Sequence, residues 1–163
     1  MKRADYLARL RGYFKSHGKE NIVYFDESGF EKHAYRPHGW APRGQKIYGD
    51  VSGNNRKDVN LIMAQRRGEW LAPVVFKGTC DSRLVNTWLK DFLLKELKKP
   101  SVIVMDNARF HNKSTIRAIL KEKGHVLLPL PTYSPDLNPI EQSFAILKKR
   151  RQYSEKTVEQ LMV

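Results

Sequence analysis

The chain predicts an α/β domain built on a mixed five-stranded sheet, with three antiparallel strands followed by parallel additions and helices flanking it. Two observations carry that prediction. The first half holds short apolar and β-branched runs separated by turn residues, the pattern of strands. From residue 81 onward a helical i, i+4 period takes over and alternates with further strand-length runs, as connections to parallel strands require.

Taken in order, residues 1–20 read as a basic helix, with Tyr6, Leu7, Leu10 and Phe14 at helical spacing before the breaker Gly18. Ile22–Glu27 is the first strand. Pro37, Gly39, Pro42 and Gly44 make Phe30–Gly44 a loop. Lys46–Val51 and Val59–Ala64 read as an antiparallel pair around the turn Ser52-Gly53-Asn54-Asn55. Trp70–Phe76 is a candidate further strand beyond those five, demoted to an edge by Pro73 because proline donates nothing to a ladder. Asp81 or Ser82 caps a helix carrying Leu84, Val85, Trp88, Leu89, Phe92, Leu93 and Leu97, and Pro100 stops it. Val102–Met105 is too short and too β-branched for a helix, so it is a strand. A helix with Ile116, Ile119 and Leu120 closes at Gly124, and His125–Leu130 gives the last strand. The final helix starts near Asn138 and runs through Lys148-Lys149-Arg150-Arg151.

Composition narrows the functional classes. The 163 residues fit one domain, and no run of ~18 apolar residues exists to span a membrane. Nothing near Met1 resembles the apolar core of a secretion signal. Cys80 is the single cysteine, which excludes an internal disulfide and a cysteine-based zinc site; a reducing cytoplasmic compartment is expected. Thirty Lys and Arg against 17 Asp and Glu give a net charge of +13, spread along the chain, which favours binding to a polyanion such as nucleic acid.

Three acids stand out against that basic background. Asp26 ends the run Ile22-Val23-Tyr24-Phe25, and Asp106 ends Val102-Ile103-Val104-Met105. A carboxylate at the end of a buried strand is costly unless something pairs it. If the two strands lie side by side, Asp26 and Asp106 become neighbours. Glu27 competes with Asp26, but alternation sends the two side chains to opposite faces, and Asp26 is the one assigned to the site. Glu141 has a structural alternative: Asn138 as N-cap, Pro139 at the first helical position and Glu141 two residues further on fit a capping box. Carboxylate oxygens suit hard cations such as Mg²⁺ and Mn²⁺, and a pair of such ions can hold the attacking and leaving oxygens of a phosphoryl transfer. No HExxH, Walker A, GxSxG or dinucleotide-binding glycine motif is present.

Glu141 lies in Tyr133-Ser134-Pro135-Asp136-Leu137-Asn138-Pro139-Ile140-Glu141, and 34 residues separate it from Asp106. With Phe25-Asp26-Glu27-Ser28-Gly29 and Asp106-Asn107-Ala108-Arg109-Phe110-His111, this string resembles the DDE transposases of the mariner superfamily, most closely its bacterial insertion-sequence branch. His38-Gly39-Trp40-Ala41-Pro42-Arg43-Gly44 is similar to that family's linker between its first two strands, and the resemblance covers roughly residues 21 to 152. It implies an RNase H-like fold, two Mg²⁺ ions for which Mn²⁺ can substitute, and a cut-and-paste reaction at transposon ends followed by strand transfer. Carried over by position, Asp26, Asp106 and Glu141 are the metal ligands. Asn107, His111 and Tyr133 become candidate substrate-positioning residues, and Arg109, Lys148, Lys149, Arg150 and Arg151 candidate DNA contacts. The implied partners are transposon-end and target DNA and a second copy of the chain.

Family members carry N-terminal helix-turn-helix modules, and residues 1–20 are too few for one. The expected organisation is a basic helical connector (1–20), a catalytic domain (21–153) and a tail (154–163), with the end-recognition part either separate or missing. Two other readings stand beside the transposase: an RNase H-like nuclease that cuts without joining, and a DNA-binding remnant without catalysis.

Overall fold

The computed structural model describes residues 1–31, 41–46, 57–108, 111–154 and 156–162, the side chains of Glu31, Lys57 and Asp58 aside. Strands β1 (Ile22–Glu31), β2 (Lys57–Arg66), β3 (Glu69–Phe76), β4 (Val102–Met105) and β5 (Val126–Pro129) form one sheet in the order β3-β2-β1-β4-β5. β1, β2 and β3 pair antiparallel, whereas β4 joins the other side of β1 in parallel and β5 extends that parallel half. This is the mixed sheet the sequence predicts, with the Pro73 strand at the edge. β1 runs four residues beyond the predicted Glu27, because Ser28, Gly29 and Phe30 still pair with Leu61, Asn60 and Val59 of β2. The strand expected over Lys46–Val51 (all but its first residue) and the turn after it lie outside the described residues, as do the first three residues of the His38–Gly44 segment.

Alternation along the strands sorts the core into two faces. Val23, Phe25, Ile62, Ala64, Ile103, Met105 and Leu127 share one cluster. They meet α2 (Ser82–Trp88) and α4 (Lys113–Glu122) through Val85, Trp88, Ile116 and Leu120. The opposite face is covered by two helices. Tyr6 of α1 (Arg3–His17) is fully buried against Ile22, Val102, Val104 and Leu128, and α5 (Ile140–Gln152) lays Ile140, Phe144 and Leu147 over Phe30, Leu61 and Met63. β4 is buried on both faces, as a central parallel strand must be.

The caps follow the sequence. Asp81 accepts the Leu84 N–H at 2.9 Å, and Asn112 accepts the Thr115 N–H at 3.2 Å. After α2 the helix widens into a π-helical turn, Leu89–Leu93, before the short α3 (Leu94–Glu96). Steps of exactly four residues from Leu89 to Leu93 to Leu97 drift around a helix of 3.6 residues per turn; a wider turn absorbs the drift and keeps all three buried. Beside it, Trp88 donates its indole N–H to the Ala72 carbonyl at 2.8 Å, across the register shift that interrupts β2–β3 pairing. The chain ends in α6 (Val158–Leu161), whose Val158 packs under α5. No helix among the described residues is long and apolar enough to cross a membrane.

Candidate active site

The register of the parallel strands builds the site. Tyr24 of β1 faces Val104 of β4, so continuing two residues along each strand sets Asp26 level with Asp106 at the strand ends. Asp26 is only 6% exposed and accepts the Glu27 N–H on Oδ1 at 2.8 Å. Asp106 lies just past β4, its side chain 40% exposed; its Oδ1 takes the Ala108 N–H at 3.2 Å and stands 3.2 Å from Nδ1 of His111. Glu141 comes from the first turn of α5, and its carboxyl lies near enough to that of Asp26 to help raise its pKa. Three acids from three separate elements thus converge.

Glu141 reaches Asp26 because the expected capping box does not form. Helix α5 begins at Ile140, no side chain caps it, and both amide atoms of Asn138 are buried without a hydrogen bond among the described residues. The turn Pro135–Leu137 and the Asn138 carbonyl, which accepts the Glu141 N–H at 3.2 Å, set the helix start, leaving the exposed Glu141 side chain on the cavity wall. A cavity of about 400 Å³ opens here, lined by Asp106, Asn107, Thr132, Tyr133, Asn138 and Glu141 among others.

The two aspartates divide their charge. Burial first, then the nearby Asp106 charge and the Glu141 carboxyl, towards which protonated Asp26 is the donor, push Asp26 up to about 9. Burial pulls Asp106 in the same direction but loses to the His111 hydrogen bond, the Ala108 N–H and the Lys113 charge, which together hold it below the usual carboxylate range. Near neutrality Asp106 is ionised and Asp26 carries a proton. The strain between like charges is relieved by protonation.

Residues 21–162 match the family model of the DDE superfamily endonucleases. The chain belongs to that family. Its fold is the RNase H-like fold of the Mos1 transposase catalytic domain. The Mos1 transposase paired-end complex with left transposon end superposes with a TM-score of 0.73 at 20% identity, over 90% of this chain and 46% of that one. The Mos1 strand transfer complex gives 0.70 at 19%, over 98% and 55%. The catalytic domain of Mos1 mariner transposase alone gives 0.62 at 16%, over 98% and 83%. This chain therefore spans about half the length of the transposase chains in those DNA complexes. No curated protein sequence matches it significantly.

Asp26, Asp106 and Glu141 offer the oxygen donors that hard divalent cations take. Among the described residues, no group of three or more His, Cys, Asp or Glu side chains is arranged to hold a metal ion as the side chains stand. Within the set, the buried Asp26 carboxyl is kept protonated by burial and by its acidic neighbours, and a cation can replace that proton.

The other sequence candidates occupy different places. The Asn107 amide is spent on structure: it donates to the Leu130 carbonyl and accepts from the Lys113 ammonium, tying the β4 loop to the end of β5 and to α4. His111 is buried, its side chain 1% exposed, and is absent from the cavity wall. Tyr133 is 96% exposed on the cavity rim with φ 53°, a left-handed conformation costly for a tyrosine. Lys149 and Arg150 are exposed, whereas Lys148 sits 5.6 Å over the Phe30 ring and Arg151 is half-buried. Arg109 lies outside the described residues. Sequence reasoning missed Lys113, the cation nearest Asp106 in its effect, because six residues of loop and helix start separate them. Arg3 was also missed; its guanidinium grips both oxygens of Asp136 at 3.0 and 2.7 Å and touches Ser134 Oγ at 3.2 Å, bracing the loop that carries Tyr133.

Proposed function

We propose that this chain is the catalytic part of a cut-and-paste DNA transposase of the mariner type, from the bacterial insertion-sequence branch. The observation that carries the reading is that Asp106 and Glu141 line one cavity in a DDE endonuclease fold, with the buried Asp26 carboxyl interacting with both from the end of β1. In the first step water attacks the phosphorus at the transposon end and the 3′-oxygen leaves as a hydroxyl. In the second, that hydroxyl attacks a target phosphodiester and displaces its 3′-oxygen. Asp26, Asp106 and Glu141 would hold two Mg²⁺ ions, or Mn²⁺ in their place, which supply activation of the attacking oxygen and neutralisation of the leaving one. The protein's own part is to hold Asp26 buried and Asp106 braced at the strand ends beside Glu141, and to present a chain of net charge +13 to the DNA backbone, with Lys149 and Arg150 as contacts. Joining two ends calls for two copies of the chain, and a helix-turn-helix part recognises the ends. The work is done in the bacterial cytoplasm, on chromosomal or plasmid DNA.

The deciding experiment supplies labelled, pre-cut transposon-end DNA from the element's own flanks, a target plasmid and Mn²⁺. Joined products are expected. Cleavage without joining would replace the reading with an RNase H-like nuclease, and binding without either would leave a non-catalytic remnant.

Within this reading Tyr133 is a stacking platform. A ring held clear of the protein by a left-handed backbone, beside the acids and on a braced loop, meets an unpaired base flat. Tyr133→Ala is expected to weaken binding of end DNA with an unpaired flanking strand about tenfold, the lower half of the ~1–3 kcal/mol that stacking contributes per base. Tyr133→Phe keeps the affinity. Fluorescence anisotropy reads both, and equal affinities for Ala and Tyr would remove Tyr133 from the site.

A further inference from the structure

Glu27 and His111 have no place among the three DDE acids, yet the fold buries both beside them. Strand alternation puts Glu27 with Phe25 on the α2–α4 face of the sheet, opposite Asp26. His111 enters from the loop before α4, where its backbone N–H donates to the Ala108 carbonyl at 3.0 Å, and its ring lies 6.0 Å from that of Phe25. The imidazole stands between two carboxylates: Nδ1 is 3.2 Å from Asp106 Oδ1 and Nε2 is 3.8 Å from Glu27 Oε2. That Glu27 oxygen is buried and has no hydrogen bond among the described residues, so the imidazole is its closest ion-pair partner among them.

A buried carboxylate aimed at a buried imidazole is costly as core material, since packed apolar side chains would fill the same space more cheaply. Its effect falls on Asp106. The Ala108 N–H and the His111 ring both address Oδ1, which stops rotation of an otherwise 40% exposed carboxylate and leaves Oδ2 as the ligand atom. Groups behind a metal ligand commonly set its orientation in this way.

We propose that Glu27 and His111 are positioning residues: Glu27 holds the buried imidazole, and the imidazole locks the Asp106 carboxylate for a divalent cation. The proposal rests on the DDE reading of Asp106. It also takes His111 away from substrate, which a side chain 1% exposed does not touch.

The test measures Mn²⁺ affinity by calorimetry on the metal-free protein, alongside its melting temperature and its DNA-nicking rate. His111→Ala and Glu27→Ala are expected to weaken Mn²⁺ binding about 10- to 100-fold. His111→Asn restores most of it, because its amide N–H stands where Nδ1–H stood. Glu27→Gln, of the same shape, serves if the alanine variant does not fold, and is expected to weaken binding in the same direction. Lowered melting temperatures with wild-type Mn²⁺ affinity, or an asparagine no better than alanine at 111, would overturn the brace. Asp106→Ala is the control: if it too leaves Mn²⁺ binding intact, the DDE reading itself has failed, whereas its loss alone condemns only the brace.

Discussion

Asp106→Asn should lower the rate of DNA cleavage by about a thousandfold or more while leaving DNA affinity unchanged or slightly tighter. The substitution keeps the side-chain volume and an oxygen for the Ala108 N–H, so the loop after β4 has no reason to move. What it removes is a carboxylate that His111, the Ala108 N–H and Lys113 hold ionised. Cations in phosphoryl-transfer sites stabilise the transition state by several kcal/mol, and each ~1.4 kcal/mol is tenfold in rate, so losing a ligand charge reaches a thousandfold readily. Asp26→Asn is expected to do the same. DNA affinity responds differently because it comes from the whole basic surface, and removing one negative charge makes that surface more positive. Single-turnover nicking with the concentration dependence of binding separates the two effects. A variant that nicks at the wild-type rate would take Asp106 out of the chemistry.

How much of this could be read from sequence depended on how local each cause is. Asp26 and Asp106 were visible because a carboxylate after four buried residues is a local anomaly, and because the order of elements makes β1 and β4 neighbours. The register that sets them level is a pairing of residues about eighty apart, which no local pattern encodes. Glu141 was ambiguous for a related reason. Asn138-Pro139-Ile140-Glu141 fits a capping box by composition, but the preceding turn fixes the helix start and Asn138 caps nothing. Glu27 is set aside by face, and alternation does send it away from Asp26; a histidine from another loop comes round the end of β4 to meet it, a contact no alternation encodes. The π-helical turn after Trp88 was legible only in hindsight, in the four-residue spacing of its leucines. Strands, caps and stripes are one-dimensional facts; the contacts that make a site are not.

The proton on Asp26 has a consequence for metal binding that can be measured. With a folded-state value of about 9 against ~3.9 for a free aspartate, Asp26 is a raised group, so its contribution to stability is present in full below pH ~4 and is lost as pH rises through about 9. Asp106, held low, works in the opposite sense and at lower pH: its stabilisation is present above pH ~4 and is lost as the pH falls further. Over the neutral range Asp26 therefore governs. A cation must displace its proton to use it as a ligand, and the work of removing that proton falls by 1.36 kcal/mol for each unit of pH. Mn²⁺ affinity should accordingly tighten about tenfold per unit, roughly a hundredfold from pH 6 to pH 8. Titration calorimetry in two buffers of different ionisation heat should report close to one proton released per site at pH 7. Asp26→Asn should bind more weakly throughout and lose the slope. An affinity flat between pH 6 and 8 in the unaltered protein would mean that the cation does not take Asp26 as a ligand, and that the carboxyl at the end of β1 is buried for some other purpose.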